Sequence, residues 1–266
     1  GSREDCVSRG LGDVYKRQAK HRVFQGCKAV VINGDDALTN PLVPDTVTQT
    51  SFSLGDPDVG QFGLREEADT TWMVQGLRPI MAVNKLAMFG RHNVANALAA
   101  LALGQAVGLP MDAMIKTLTV FTGLSHRCEW VADIDGVAYI NDSKGTNIGA
   151  TVAALEGLGP ALTGKIMLIA GGLGKGADFS ELVVPLSRYG KQVVLIGRDA
   201  NDIEMALVDK VRCIHAQDMQ SAVSIAHDQA VSGDLVLLSP ACASFDAYAN
   251  FEARGDHFSA LVRALA

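Results

Sequence analysis

The chain has few of the features that mark membrane, metal-binding or nucleic-acid-binding proteins. Its longest apolar runs, such as residues 166–170 and 235–238, are far too short to cross a bilayer. Its five cysteines are scattered and show no metal-ligand spacing, which favours reduced thiols in a cytoplasmic protein. A formal net charge of −6 argues against a nucleic-acid or anionic-membrane partner. No secretory signal pattern is present.

Two common nucleotide-binding motifs are also missing. No Gly-x-x-x-x-Gly-Lys-Ser/Thr phosphate loop occurs anywhere in the chain, and no Gly-x-Gly-x-x-Gly follows the first predicted strand. What remains is a chain of 266 residues, of which 48% are hydrophobic and 20% are charged. That composition is typical of a soluble globular protein, and the length allows one large or two medium domains.

Residues 1–18 differ from the sequence that follows them. Gly1-Ser2 resembles the remainder of an expression tag, and residues 8–18 show no sustained hydrophobic period. We therefore interpret residues 1–18 as an expression- or cloning-derived extension and leave them out of the fold prediction. The alternative is a genuine N-terminal arm that is loosely held.

Residues 19–123 predict a first domain of short strands followed by two helices. Residues 28–33 predict a buried strand. The alternating stretches that follow, at residues 47–54, 71–74 and 80–83, are separated by glycine, proline and aspartate and predict short antiparallel strands and hairpins. Apolar residues at helical spacing predict a helical hairpin over residues 92–109 and 111–121. We place the domain boundary at Gly123, so that the second domain covers residues 124–266.

The second domain shows regular alternation of apolar strands and amphipathic helices. The strand candidates are residues 137–140, 166–170, 193–196, 212–215 and 235–238. The helix candidates are residues 148–158, 179–188, 200–208, 219–231 and 247–265. This alternation predicts an α/β fold with a doubly wound parallel sheet that is covered on both faces.

The turn at residues 141–147, Asn-Asp-Ser-Lys-Gly-Thr-Asn, joins a predicted strand to a predicted helix. Ligands of open parallel sheets bind beyond the carboxyl ends of the strands, and helix N-termini attract anions. Asp142 could hold a ribose hydroxyl or a metal, and Lys144 adds a positive charge. The alternative is an ordinary helix cap by Asp142 or Ser143 with a solvated Lys144.

Two further polar clusters follow strands of the same predicted sheet. Residues 171–178 form a glycine-rich turn that contains Lys175, and residues 239–246 contain Ser244. A structural turn is the alternative for the first cluster, and a helix cap by Ser244 or Asp246 is the alternative for the second. Earlier in the chain, Asn93 and Asn96 lie about one helical turn apart, where they could read an adenine edge or cap the helix.

Five segments together resemble the Mur ligase family, and within it the members that add D-glutamate to UDP-N-acetylmuramoyl-L-alanine. The segments are residues 92–100, 122–127, 141–147, 171–179 and 239–246. The resemblance covers residues 19–266. It implies an ATP- and Mg²⁺-dependent ligase of peptidoglycan synthesis that works in the cytoplasm through an acyl phosphate.

The resemblance also implies roles for individual residues. It places Asn93 and Asn96 near adenine, Arg127 and Asp142 near the phosphates and ribose of ATP, and Lys144 near the transferred phosphate. It assigns D-glutamate binding to Thr146, Lys175, Ser244, Phe245 and Phe251. It equates Lys20 with the carbamylated lysine of the family, which as a carbamate is a catalytic magnesium ligand.

The departures from the family pattern imply that the chain is its C-terminal part. A UDP-binding domain, the phosphate loop, and the glutamate and histidine that hold magnesium are missing, and Gly145 stands where alanine is usual. The resemblance thus implies the truncated remainder of a central α/β ATPase domain, followed by a Rossmann-like D-glutamate-binding domain. We expect this chain alone not to turn over, and we expect the parent enzyme to be monomeric. The alternatives are a non-catalytic Rossmann-type nucleotide-binding module and a folylpolyglutamate synthase-like ligase.

Overall fold

The computed structural model describes residue 19 and residues 21–265, and the chain divides into two compact units. The first unit comprises residues up to Ala87 together with Val94–Phe121, and the second comprises Met88–Asn93 together with the chain from Thr122 onward. This division lies close to the predicted boundary, although Met88–Asn93 belongs to the second unit. Residues 1–18, for which we predict an extension, lie outside the described residues.

The first unit contains a five-stranded mixed sheet with the order β1-β2-β3-β4-β5. The strands are β1 Ala29–Asn33, β2 Thr48–Phe52, β3 Phe62–Glu67, β4 Thr70–Gln75 and β5 Arg78–Ala82. The pairs β1/β2 and β2/β3 are parallel, whereas β3/β4 and β4/β5 are antiparallel. The prediction of an antiparallel strand is therefore wrong for residues 47–54, which form the parallel strand β2 because the connections on either side of β2 bring the chain back to the end of the sheet where β1 begins. Residues 71–74 and 80–83 are antiparallel as predicted. Ala68 and Asp69, both with positive φ, form the tight turn between β3 and β4.

The predicted helical hairpin follows this sheet. Helix α1 spans Arg91–Ala106 and helix α2 spans Met111–Leu118. The Sδ atom of Met114 packs where a side chain on Gly104 would lie, so glycine permits close approach of the two helices. Short 3₁₀ helices occur at Arg22–Phe24, Ala37–Thr39, Val83–Lys85, Gly159–Ala161 and Phe179–Leu182.

The second unit contains a six-stranded sheet with the order β10-β9-β8-β11-β7-β6. Its strands are β6 Glu129–Ile134, β7 Val137–Asn141, β8 Ile166–Gly171, β9 Gly190–Ile196, β10 Cys213–His215 and β11 Leu235–Leu238. Its helices are α3 Ile148–Leu158, α4 Val183–Tyr189, α5 Ala200–Leu207, α6 Met219–Gln229 and α7 Phe251–Arg263. All pairs are parallel except β6/β7, which confirms the predicted parallel sheet and adds an antiparallel edge strand.

Both faces of this sheet are covered, as a doubly wound fold requires. Alternate residues of a strand point to opposite faces. Thus Leu168 and Leu237 pack with helices α3, α4 and α5, whereas Ile169 and Val236 pack with helices α6 and α7. None of the helices in the described part of the chain combines the length and hydropathy needed to cross a membrane.

Candidate functional site

Asp142 and Ser143, in the turn after β7, do not cap the helix that follows it. Asn147 caps α3, because its Oδ1 accepts a hydrogen bond from Ala150 N at 3.0 Å. The alternative of a cap by Asp142 or Ser143 is therefore wrong. Asp142, Ser143 and Lys144 directly follow β7 and so lie at the carboxyl end of the sheet. Their side chains contact residues from other elements, as described below.

Asp142 carries a carboxylate that is 7% exposed and is held by hydroxyl groups. Ser239 Oγ, at the end of β11, donates to Asp142 Oδ2 at 2.7 Å. Thr151 Oγ1 lies 3.1 Å from Ser239 Oγ, so a buried hydroxyl pair supports the carboxylate. Cys128 N donates to Asp142 Oδ1 at 3.3 Å. Burial raises the pKa of Asp142 to about 6, although these hydrogen bonds and the charge of Arg127 act in the opposite direction.

Arg254 of helix α7 joins the two neighbouring strand-end loops. Its side chain is 1% exposed. Nε donates to Ser143 Oγ at 3.0 Å, Nη2 to Ser143 O at 2.9 Å and Nη1 to Cys242 O at 3.1 Å. Burial lowers the pKa of Arg254 to about 10. The guanidinium therefore fixes the turn after β7 against the loop after β11.

Asn141 and His126 complete the contact between α7 and the end of β7. The buried Asn141 Nδ2 lies 3.1 Å from Gly255 O and 3.0 Å from both Ser259 Oγ and His126 Nδ1. A side chain at Gly255 would collide with His126 Nδ1, so glycine is needed there. His126 O accepts from Lys144 N at 3.0 Å, which sets the backbone of the lysine.

The side chain of Lys144 is directed toward an aromatic ring. Its Nζ lies 3.8 Å from the centroid of the Phe251 ring, at the first residue of α7. Thr146, two residues further, donates its N–H to Lys144 O at 2.8 Å and is half-buried. The turn after β7 thus carries a lysine whose ammonium lies over an aromatic ring, and such a cation suits binding of an anion.

The loop after β8 pairs with the loop after β11. Leu173 and Ala243 exchange two backbone hydrogen bonds, of 2.9 and 3.0 Å. Lys175 is exposed with a φ of 54°, and its Nζ lies 6.0 Å from the ring centroid of Phe245, which is 66% exposed. Ser244 is 3% exposed. This edge of the sheet thus carries a second lysine–phenylalanine pair.

Helix α7 has its own cap, which leaves the loop after β11 free for other contacts. Asn250 Oδ1 accepts from Ala253 N at 2.7 Å. The predicted alternative of a cap by Ser244 or Asp246 is therefore wrong. Asp246 Oδ2 instead accepts from Arg198 N at 3.0 Å. A cavity of about 310 Å³ adjoins this loop and is lined by residues that include Gly172, Asp218 and Tyr248.

The remaining predicted site residues are Asn93, Asn96 and Lys20. Asn93 Nδ2 donates to Phe89 O at 2.8 Å, near the start of α1. Asn96 lies one turn further and belongs to the first unit, whereas Asn93 belongs to the second. Lys20 lies outside the described residues. Within residues 21–265, no group of three or more His, Cys, Asp or Glu side chains is placed to hold a metal ion.

The second unit therefore brings together most of the predicted site residues along β8, β11 and β7. Arg127, Asp142, Lys144, Thr146 and Phe251 lie around the turn after β7, and Lys175, Ser244 and Phe245 lie around the next two loops. Sequence reasoning missed Arg254. Its spacing of four and eight residues from the buried Phe258 and Val262 was a usable signal, because it places a charge on the apolar stripe of α7.

Comparison with known protein families gives one match in this unit. Residues 126–242 match the family described as Mur ligase, glutamate ligase domain. A protein of Acinetobacter baylyi named UDP-N-acetylmuramoylalanine–D-glutamate ligase is 51% identical over 98% of this chain and 59% of its own length. The protein of the same name from Pseudomonas aeruginosa is 50% identical over 99% of this chain and 59% of its own length. The chain thus spans about three fifths of these curated relatives.

Solved structures show the same fold at low sequence identity. UDP-N-acetylmuramate-alanine ligase of Thermotoga maritima has a TM-score of 0.63 at 14% identity, over 94% of this chain and 55% of that one. The MurF ligase of Thermotoga maritima in complex with ADP has a TM-score of 0.65 at 16% identity, over 91% of this chain and 55% of that one. These likenesses extend over both units of the chain.

Proposed function

Because the chain belongs to the Mur ligase family, we propose that it provides the D-glutamate site and part of the ATP site of a peptidoglycan ligase. The ligase would join D-glutamate to UDP-N-acetylmuramoyl-L-alanine. ATP supplies the activation, because it phosphorylates the substrate carboxylate and makes it reactive toward an amine. The free thiols of the four cysteines described are in keeping with a cytoplasmic enzyme.

The observation that carries this proposal is the convergence of three strand-end loops in the second unit. Strands β8, β11 and β7 are consecutive in the sheet, and their loops are joined by Arg254, by the Ser239–Asp142 hydrogen bond and by the Leu173–Ala243 pairing. The loops carry two lysines at one sheet edge. D-Glutamate has two carboxylates, and the phosphate transferred from ATP is also negatively charged. Fixed cations of this kind would stabilise both.

For D-glutamate, we assign Lys175 and the hydroxyls of Thr146 and Ser244 as ligands. Lys175 is exposed, and its Nζ lies 6.0 Å from the ring centroid of Phe245, so its charge faces solvent. Ser244 is buried, with 3% of its surface exposed. Its hydroxyl group would therefore reach a ligand from one side only. Phe245 and Phe251, at the two ends of the segment 245–251, would provide apolar walls for the bound D-glutamate.

For ATP, we assign Arg127 to a phosphate and Asp142 to a ribose hydroxyl, with Asn93 and Asn96 near the base. Arg127 is exposed, and it lies close enough to Asp142 to stabilise the ionised carboxylate. Lys144 would approach the transferred phosphate. Lys20, as a carbamate, would hold Mg²⁺, whose chemistry is to offset the charge of the phosphates.

The experiment that tests this assignment is calorimetric titration of the chain with D-glutamate and, separately, with ATP and Mg²⁺. We expect Lys175→Ala to weaken D-glutamate binding by about 10- to 100-fold, since bonds to charged groups contribute about 1.5–3 kcal/mol. We expect Arg127→Ala to weaken ATP binding by a similar factor. The exposed Lys210→Ala and Arg263→Ala serve as matched controls that retain binding.

The outcome against the proposal is binding that does not depend on these side chains. If the wild type and Lys175→Ala bind D-glutamate with equal affinity, the loop after β8 is not part of the D-glutamate site. An affinity for L-glutamate equal to that for D-glutamate would contradict the assignment of substrate.

A further inference from the structure

We propose that Phe251 is a positioning residue for Lys144, whose ammonium is held over the face of the phenyl ring before any anion binds at the turn after β7. The Nζ–centroid distance of 3.8 Å is well inside the range of about 6 Å over which a cation is attracted to an aromatic face. The functional part of this proposal rests on the role of Lys144 given above.

The ring is the main contact that the structure describes for the charged end of Lys144. No carboxylate among residues 21–265 forms an ion pair with this lysine, whereas Lys191 is paired with Asp234 at 2.6 Å. A carboxylate partner would fix an ammonium and also neutralise it. An aromatic face fixes the ammonium through its quadrupole and leaves the full charge for an incoming anion.

The position of the ring is itself fixed from two directions. Ser143 Oγ donates to Phe251 O at 2.8 Å, which ties the start of α7 to the residue next to Lys144. On its other side, His126 meets the ring edge-on, with centroids 6.0 Å apart and an interplanar angle of 80°. The Phe251 ring is therefore held in a fixed position next to the turn after β7, which contains Lys144.

The second lysine–phenylalanine pair of this edge offers an internal comparison. Lys175 and Phe245 are both exposed, and their separation of 6.0 Å is at the limit of a useful interaction. Holding a flexible lysine in advance removes part of the ordering cost of binding. We therefore infer that this advance ordering applies to Lys144 and not to Lys175.

Ring-current shifts in NMR spectra of ¹³C-lysine-labelled protein test the contact directly. We expect the Hε protons of Lys144, assigned with the Lys144→Arg variant, to be displaced upfield from those of other lysines. The displacement should disappear in Phe251→Leu and persist in Phe251→Tyr and Phe245→Leu. A displacement that persists in Phe251→Leu, or that is absent from the wild type, would overturn the proposal.

Substitution of Phe251 by phenylalanines with one, two and three ring fluorines tests its effect on binding, because fluorine weakens the negative face while largely keeping the ring shape. We expect the affinity for ATP with Mg²⁺ to fall stepwise, by about 2- to 5-fold across the series. A flat series would refute the positioning role. Should Lys144→Ala leave ATP affinity unchanged, the proposed function of Lys144 would be wrong, while the NMR shift would still decide the contact.

Discussion

At the scale of single residues, Asp142 links the chemistry of the site to the stability of the fold. Burial raises its pKa from 3.8 to about 6, so the folded state holds the proton more tightly than the unfolded state. The protonated form is therefore favoured by folding, and stability is lost as pH rises from about 4 to about 6. A shift of this size corresponds to about 3 kcal/mol.

We expect Asp142→Asn to remove this pH dependence, since the amide does not ionise. The difference in free energy of unfolding between variant and wild type should change by about 3 kcal/mol between about pH 4 and pH 7, as measured by urea denaturation. Ser239→Ala removes a hydrogen bond that lowers the pKa of Asp142 in the folded state, so it should extend the upper end of this pH window to higher pH. Parallel pH profiles for wild type and Asp142→Asn would show that the carboxylate is not buried as described.

Gly145 is a second residue whose identity affects Asp142. A Cβ atom at Gly145 would lie 2.6 Å from Asp142 Oδ2 and 2.7 Å from Ser239 Oγ, across their hydrogen bond. We expect Gly145→Ala to destabilise the chain by about 1–3 kcal/mol, as crowding of a packed site commonly does. Thermal or urea unfolding would measure the change.

The same substitution four residues later is the matched control. Gly149 is in the first turn of α3, and a Cβ atom there would meet only Asn147 Oδ1, at 3.6 Å. Gly149→Ala should therefore be neutral or stabilise the chain by up to about 1 kcal/mol. If both alanine variants shift stability alike, the crowding around Asp142 is not the cause.

At the scale of elements, Arg254 decides how helix α7 is attached to the sheet. Arg254→Lys keeps a positive charge but loses the planar fork that reaches Ser143 and Cys242 together. The buried carbonyls left without donors cost about 1–3 kcal/mol each. We expect a loss of about 2–4 kcal/mol in the free energy of unfolding, with faster amide exchange at residues 142–146 and 239–246.

The control for Arg254 lies at the end of the same helix. Arg263 is exposed, so Arg263→Lys should leave both stability and amide exchange unchanged. Exchange that accelerates equally in α6, which Arg254 does not brace, would indicate general destabilisation and would contradict a local role for the guanidinium.

The sequence predicted elements well where the local pattern and the tertiary contacts agree. Helix α3 was predicted with the bounds that the structure shows, and the apolar strands β8 and β11 were recognised. Strands β3 and β6 were missed, because each mixes charged residues with apolar ones and depends on its neighbours for pairing. The parallel pairing of β1, β2 and β3 was also missed, since strand order is set by long-range contacts.

The candidate site was likewise predictable where local sequence motifs determine it and not where long-range contacts do. The motifs located Lys144, Asp142 and Lys175 at strand ends, because the carboxyl ends of parallel strands share one sheet edge. The partners of these residues were not predictable from local sequence. Thr151 and Arg254 lie far along the chain from Ser239 and Ser143 respectively, and only folding brings them into contact.

At the scale of the whole molecule, the two units differ in the size of their cores. Among the described residues, two hydrophobic clusters of buried side chains lie in the second unit, around the two faces of its sheet. The described residues of the first unit bury a smaller set, which includes Phe62, Met73 and Leu98. Because stability follows the apolar area that is removed from water, we expect the first unit to unfold at a lower temperature than the second.

Scanning calorimetry should therefore show two transitions, and one core substitution in each unit assigns them. Met73 and Leu168 are both fully buried, in β4 and β8 respectively. Truncation of either to alanine costs about 2–5 kcal/mol, which is several degrees in Tm for units of this size. Met73→Ala should lower only the first transition and Leu168→Ala only the second. A single transition that both variants lower equally would mean that the units unfold together, because their coupling would then exceed the difference between their cores.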